Sequence, residues 1–156
     1  MPYFILDFKA QIMKTKNTAS YSSLINEVPS QISDSKVLTY LQKKTIDWEY
    51  VEALKKITGY NDTILSDWLN VSVKTFRSYK QQENKLNPNL KEQVVLLISL
   101  IKHGLTVFEN LNRFKDWLNT DNFYFGKKSP ITFLNTITGI RFVNDRLTAM
   151  EYGDNV

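Results

Sequence analysis

The sequence of 156 residues contains no cysteine and a single histidine, His103. Without cysteine the chain has no disulfide framework, no thiolate metal site and no cysteine nucleophile, and this composition suits a reducing compartment. One histidine also excludes a multi-histidine metal site. No apolar run approaches the roughly 18 residues of a membrane span, and no basic residue precedes the short apolar run at 3–6, so we expect no secretory signal. These absences favour a soluble cytoplasmic protein with no membrane partner.

Motifs for catalysis are also missing. Neither GxxxxGK[ST] nor GxGxxG occurs, so no glycine loop is predicted to hold a phosphate group. Ser99 and His103 have the spacing of a nucleophile and its base, but they lie on an amphipathic helix without a glycine-rich elbow or oxyanion donors. A partly exposed structural histidine is the simpler interpretation. Carboxylate pairs such as Glu49 with Glu52 have ordinary surface spacing, and we expect no enzyme activity and no cofactor.

The composition is that of a folded chain with one irregular end. It is 42% hydrophobic, 13% aromatic and 23% charged, which is enough to bury a core. Residues 14–36 are rich in serine and threonine and have little periodic apolar content, so we interpret 1–36 as a flexible N-terminal arm that packs poorly. Met13 precedes a polar segment typical of an N-terminus, which raises the hypothesis that Met13 rather than Met1 is the start.

From Val37 onward the apolar residues recur with helical spacing, and almost nothing alternates with a period of two. Asp47 and Gly59 are typical of the start and the end of one helix. Asn87 followed by Pro88 is typical of the start of another, because proline at the first helical position gives up a donor that would be unpaired anyway. The pattern predicts an all-α protein.

The helix after Pro88 has the clearest apolar stripe in the sequence, formed by Leu90, Val94, Leu97, Ile98 and Ile101. Gly104 predicts a kink or a break after this stripe. We therefore divide the chain, after the arm, into a helix-turn-helix domain over 37–103 and a compact helical domain over 104–156.

The segment 64–82, ILSDWLNVSVKTFRSYKQQ, fits a helix-turn-helix motif on steric grounds. Ser66 is small where two helices must approach each other closely. Asn70 stands at the turn, where a left-handed backbone is needed and asparagine is tolerated better than most residues. Ser72 can cap the second helix. Each residue type has a local reason for its position.

The second helix of the motif is predicted to place Phe76 and Tyr79 in the core and its polar residues outward. Over 70–85 four basic residues face one acidic residue, a local excess of three, whereas the whole chain has a net charge of +4. A recognition helix meets base edges and phosphates from such positions. The alternative is an ordinary helix pair with a solvated basic face. The predicted DNA-binding residues are Ser72, Val73, Lys74, Arg77, Ser78, Lys80 and Gln81.

The C-terminal half carries a series of residues whose order and spacing resemble a known domain. The series is Val107-Phe108, Trp117-Leu118, Asn122, Phe125-Gly126, Pro130, Leu134, Thr136, Gly139, Val143, Leu147, Met150 and Gly153. It is similar to the toxin-binding domain of Xre/MbcA/ParS-type antitoxins, and with the helix-turn-helix motif the resemblance covers roughly 47–156. One position, Lys127, departs from it, whereas Glu109 agrees with it. Similar proteins usually have two adjacent glycines where this chain has Gly126 and Lys127, and an acidic or glycine residue at the position of Glu109.

The resemblance implies a type II antitoxin whose partner is a RES-domain toxin that degrades NAD. It implies that 136–156 packs over the toxin and obstructs its NAD pocket, and that the helix-turn-helix domain represses the shared operon by binding operator DNA. A homodimer is expected, since paired half-sites match a twofold protein. The predicted toxin-binding residues are Arg141, Arg146, Glu151, Tyr152, Gly153, Asp154, Asn155 and Val156.

The residues themselves allow a protein interface in this half. Phe123, Tyr124 and Phe125 make one loop more aromatic than a loop needs, and aromatic side chains anchor interfaces. The opposite interpretation is that they close the small core of the protein, which is where we place Trp117 and Phe133. Two other functions stay open: a transcriptional repressor with a C-terminal dimerisation domain and no toxin, and a scaffold with no role on DNA.

Overall fold

The computed structural model describes residues 18–81 and 85–153. Part of the predicted arm and three predicted toxin-binding residues, Asp154, Asn155 and Val156, lie outside the described residues. Within these ranges the chain forms helices and no strand, which confirms the predicted all-α fold. The α-helices are α1 (Thr18–Glu27), α2 (Asp34–Lys43), α3 (Trp48–Thr58), α4 (Asp62–Trp68), α5 (Val73–Lys80), α6 (Pro88–Phe108), α7 (Leu111–Leu118) and α8 (Ile137–Glu151), and the 3-10 helices are η1 (Phe123–Phe125) and η2 (Pro130–Phe133).

Helix α6 is the centre of the fold. Its 21 residues begin as the sequence predicts, with the Asn87 side chain accepting a hydrogen bond from the backbone nitrogen of Leu90 at 2.9 Å. The predicted stripe is buried, and so are residues on the other sides of the helix. Helices α2, α3, α7 and α8 all pack against it. A helix that is apolar around most of its circumference is typical of the middle of a core.

No single helix within the described residues is long and apolar enough to cross a membrane. Helices α6 and α7 reach that length and composition only when taken together, and the chain bends by 110° between them.

The part of the predicted arm that the structure describes is ordered and packed, so the expectation of poor packing is wrong there. Ile25 and Val28 are buried in the core. The ammonium group of Lys102 on α6 donates to the carbonyl oxygens of Ile25 at 2.9 Å and Val28 at 2.6 Å, and Ser99 donates to the carbonyl oxygen of Pro29 at 2.7 Å. Side chains far along the sequence thus satisfy the carbonyl groups at the end of α1.

The end signals of α3 are confirmed. The Asp47 side chain accepts from the backbone nitrogen of Glu49 at 3.0 Å. Gly59 ends the helix in the left-handed conformation, with φ of 70°, and its nitrogen donates to the carbonyl oxygen of Lys55 at 2.9 Å. These caps fix where α4 begins and therefore the geometry of the motif that follows.

The expected break at Gly104 does not occur, because α6 continues through it to Phe108. The glycine serves close packing instead: a Cβ atom at this position would overlap the ring of Phe114 on α7. Residues 103 and 104, where we divide the two domains, are both inside this continuous helix.

We predict that Gly104→Ala lowers the free energy of unfolding by about 1–3 kcal/mol, because overpacking the contact with Phe114 outweighs the gain of about 1 kcal/mol in helix propensity. Chemical denaturation measures it. The double variant Gly104→Ala/Phe114→Leu should lose less than the sum of the two single changes. An alanine variant as stable as the original chain would contradict the close approach.

Candidate functional site

The turn between α4 and α5 has the geometry that the sequence predicts for a helix-turn-helix motif. Asn70 adopts the left-handed conformation, with φ of 55°. Ser66 is buried between the helices, and its carbonyl oxygen accepts from the nitrogen of Val71 at 3.0 Å. The Ser72 side chain caps α5 by accepting from the nitrogen of Thr75 at 3.1 Å. Ser66, Asn70 and Ser72 therefore have the structural roles that the sequence predicts.

Helix α5 turns Phe76 and Tyr79 into the core, as predicted. Trp48 of α3 contacts both rings, with centroid separations of 4.9 Å and 6.5 Å, so that tryptophan is a packing residue. The predicted DNA-binding residues occupy the rest of the helix: Val73 and Ser78 are half-buried, while Ser72, Lys74, Arg77, Lys80 and Gln81 are exposed. They share one accessible face, and their contact with DNA remains a prediction.

Asp62, the first residue of α4, organises the charges beside this face. Its carboxylate accepts from Lys55 at 2.6 Å and from Arg77 at 3.3 Å. The hydrogen bond from Lys55, followed by the one from Arg77, holds the pKa of Asp62 below its ordinary value although burial opposes the shift. The Arg77 guanidinium is therefore held at the edge of α5 while most of the side chain is exposed.

The loop before η2 contains the position that departs from the family pattern. Gly126 and Lys127 both have positive φ, 63° and 64°. Glu109, which ends α6, has φ of 60°. Glycine adopts this region without steric cost, whereas other residues are strained in it. Lys127 and Glu109 therefore adopt a conformation that glycine would adopt more easily.

Hydrogen bonds around Asn122 close this loop. Its backbone nitrogen donates to the carbonyl oxygen of Lys128 at 3.0 Å, and its side chain accepts from the nitrogen of Tyr124 at 3.0 Å. Phe125 points into the core, whereas Phe123 and Tyr124 are exposed. The loop is therefore held at both ends while it presents two aromatic rings.

Helix α8 starts at a cap and a close contact. Thr136 accepts from the nitrogen of Gly139 at 2.9 Å, and a Cβ atom on Gly139 would overlap the carbonyl oxygen of Phe133. Only glycine allows the first turn of α8 to lie directly on η2. This contact sets the direction of the helix that carries the predicted toxin-binding residues.

Helical phase predicts Arg141 and Arg146 on the face of α8 opposite Phe142 and Val143, where they could pair with acidic groups of a partner. Both arginines instead have partners within this chain. Arg146 is buried, and its guanidinium carbon lies 3.5 Å from the centroid of the Tyr124 ring. Arg141 is about a third exposed and pairs with Asp34 at 3.0 Å and Glu92 at 3.8 Å. Both flanks of α8 are covered by parts of the chain that are distant in sequence, which helical phase alone does not reveal.

The end of α8 is fixed by the single histidine. His103 is buried rather than partly exposed; its Nδ1 atom lies 2.7 Å from Oδ1 of Asn144 and its Nε2 atom 3.0 Å from Oε2 of Glu151. The histidine contacts two residues that lie about two turns apart on α8. It is not paired with Ser99, which donates to Pro29. Glu151 thus faces α6, whereas Tyr152 beyond it is 85% exposed.

Phe142 is an exposed aromatic residue that belongs to the inner face if only its neighbour Val143 is considered. The buried stripe of α8 is Ile140, Val143 and Leu147, and Phe142 is rotated by about 100° from Val143 and by more from the other two. That phase could have identified it. The assignment of Trp117 to the core is confirmed, and Phe133 is packed there only partly.

No group of three potential metal-binding side chains of the histidine, aspartate or glutamate type occurs among the residues that the structure describes. The binding groups assembled here are aromatic rings, the basic face of α5 and the end of α8. They can recognise other macromolecules by surface complementarity.

Comparison with known families supports the resemblance. Residues 103–153 match the family model described as the antitoxin Xre/MbcA/ParS C-terminal toxin-binding domain. The matched segment runs from the last turns of α6 to the end of α8, and the helix-turn-helix motif lies outside it. No curated protein matches the chain significantly.

We predict that Lys127→Gly raises the free energy of unfolding by about 0.5–1 kcal/mol, because it removes the steric cost of a left-handed lysine, partly offset by the greater freedom of glycine in the unfolded chain. Lys128→Gly, one residue along and without positive φ, should lower it. Thermal denaturation of both variants measures the difference. Equal changes in stability for the two variants would contradict backbone strain at Lys127.

Proposed function

We propose that the chain is the antitoxin of a type II system and neutralises a RES-domain toxin that degrades NAD, because residues 103–153 match the model of the antitoxin Xre/MbcA/ParS C-terminal toxin-binding domain. It acts in the cytoplasm by covering the active site of the toxin. The antitoxin acts by binding, and the chemistry belongs to the toxin. The observation that carries the proposal is the end of α8, where a buried histidine fixes the helix and an exposed tyrosine follows it.

The end of α8 is suited to obstruct a pocket. The contacts of His103 with Asn144 and Glu151 immobilise the last turn, so little conformational entropy is lost when a partner binds there. Tyr152 protrudes beyond this turn with its ring almost entirely exposed. An exposed aromatic residue on a rigid support is typical of an interface anchor.

The proposal includes binding to the promoter of the shared operon as an autorepressor, with the chain as a homodimer. It is supported by the basic face of α5, the cap at Ser72 and the left-handed turn at Asn70. In such motifs the second helix lies in the major groove. A repressor with a C-terminal dimerisation domain and no toxin is the alternative. An adjacent gene for a RES-domain protein, or toxicity rescued by co-expression, separates the two.

We predict that truncation after Glu151 weakens neutralisation of the RES-domain protein encoded beside this chain by about tenfold or more, because an exposed aromatic anchor is removed. The contact of Glu151 with His103 is kept, so the melting temperature should change little. The inhibition constant for NAD degradation measures the effect, and Tyr152→Ala should reproduce part of it. An unchanged inhibition constant in both variants would contradict the assigned role of this end.

We predict that Lys74→Ala weakens binding to a duplex containing the promoter upstream of this chain and lowers the slope of log K against log salt by about 0.9, the value for one neutralised phosphate. Lys128→Ala, an exposed lysine outside α5, is the matched control and should leave the slope unchanged. Fluorescence anisotropy at several salt concentrations measures both. A salt response that is flat in the original chain would remove the DNA-binding role.

A further inference from the structure

Three exposed aromatic side chains form one surface on the toxin-binding domain. Phe123, Tyr124 and Phe142 are 80%, 48% and 45% exposed. We call them the aromatic ridge. Large apolar side chains are normally exposed singly, and a cluster of them marks a binding surface.

The three rings are linked through Arg146, which is covered by Tyr124 and lies one helical turn from Phe142. Phe123 lies edge-on to Tyr124, with centroids 6.0 Å apart. Tyr124 also contacts Arg146, whose guanidinium carbon lies 3.5 Å from the centroid of the tyrosine ring. Phe142 stands one helical turn before Arg146 on α8, so the two side chains are neighbours. The ridge therefore runs from the loop onto the helix.

The ridge is rigid before any partner binds. Behind Phe142 lie Phe125 and Phe133, with centroid separations of 5.1 Å and 5.5 Å. The loop that carries Phe123 is closed by the backbone hydrogen bond from Asn122 to Lys128. A preorganised aromatic surface loses little entropy on binding. Phe123 itself stabilises the fold little, because most of its ring stays in water.

The ridge lies at a distance from the end of α8. Phe142, Arg146 and Ala149 have the spacing i, i+4 and i+7, which places them on the same side of the helix, but Arg146 itself is buried. Glu151 is on the opposite side, against His103. Phe142 and Glu151 are separated by about 13 Å along the axis at 1.5 Å per residue. A protein that contacts both the ridge and the end of α8 therefore has to extend along the helix over that distance.

We propose that the aromatic ridge is the anchoring surface for the toxin, and that it supplies affinity while the end of α8 obstructs the active site. The inference rests on the proposed function and divides it into two separable parts. Every ridge residue lies within the matched toxin-binding segment. Lys127 and Lys128 are exposed beside the ridge, so the toxin surface that fits it is an apolar pocket with acidic groups at its rim.

The experiment uses the full-length chain and the RES-domain protein encoded beside it. Phe123→Ala is the main variant, since the exposed ring contributes little to folding, and Phe123→Ala/Tyr124→Ala is the second. Leu38→Ala on α2 is the matched control, because Leu38 is 56% exposed and lies outside 103–153. Calorimetry measures Kd, and residual NAD degradation is measured at saturating antitoxin.

We expect Phe123→Ala to raise Kd by about tenfold or more and still to inhibit fully at saturation, with Leu38→Ala unchanged. Truncation after Glu151 should instead leave residual toxin activity at saturation. Unchanged Kd in both ridge variants, with the truncation effect intact, would overturn the ridge while the proposed function stands. If the original chain does not bind the RES-domain protein, both the proposed function and the role of the ridge are overturned. If a ridge variant dissociates a homodimer in sedimentation, the ridge binds a second copy of the chain instead of the toxin.

Discussion

The buried polar groups on one stretch of α6 hold the two ends of the described chain to its centre. Ser99 and Lys102 satisfy carbonyl groups after α1, and His103 bridges Asn144 and Glu151 on α8. Buried polar groups are costly without partners, so each contact is strongly specified. Partial burial lowers the pKa of Lys102. The orientation of the candidate partner-binding surface follows from these contacts.

The helix-turn-helix motif could be predicted from the sequence because its determinants are local. Asn70 and Ser72 act within a few residues of their own positions, and their roles depend on backbone geometry that the residue type reveals. The segment before Val37 shows the opposite case. Its serine-rich composition indicates disorder, but Ile25 and Val28 are buried and their carbonyl groups are paired with Lys102, more than 70 residues away. The composition of a segment does not indicate contacts with residues so far away in the sequence.

The order of residues in the C-terminal region indicated the family of the domain, but it did not indicate which side chains are exposed. Arg146 and Phe142 exchange the environments expected for a cation and an aromatic ring, because Tyr124 covers Arg146 while Phe142 stays half exposed. An amphipathic pattern describes a helix against one flat neighbour, whereas α8 packs against both α6 and η2. The left-handed backbone at Lys127 and Glu109 is a further case, because neither residue type indicates that conformation.

The continuity of α6 across the two functional regions has a consequence for dissecting the molecule. Helix α6 contacts α2 and α3 as well as α7 and α8. If the two regions were expressed separately, one fragment would carry α6 with its hydrophobic surface exposed. Such fragments would aggregate before their activity could be assayed. Chimaeras that exchange one region for that of a homologue would have to carry the whole of α6 with its neighbours. The two regions are therefore parts of one folding unit.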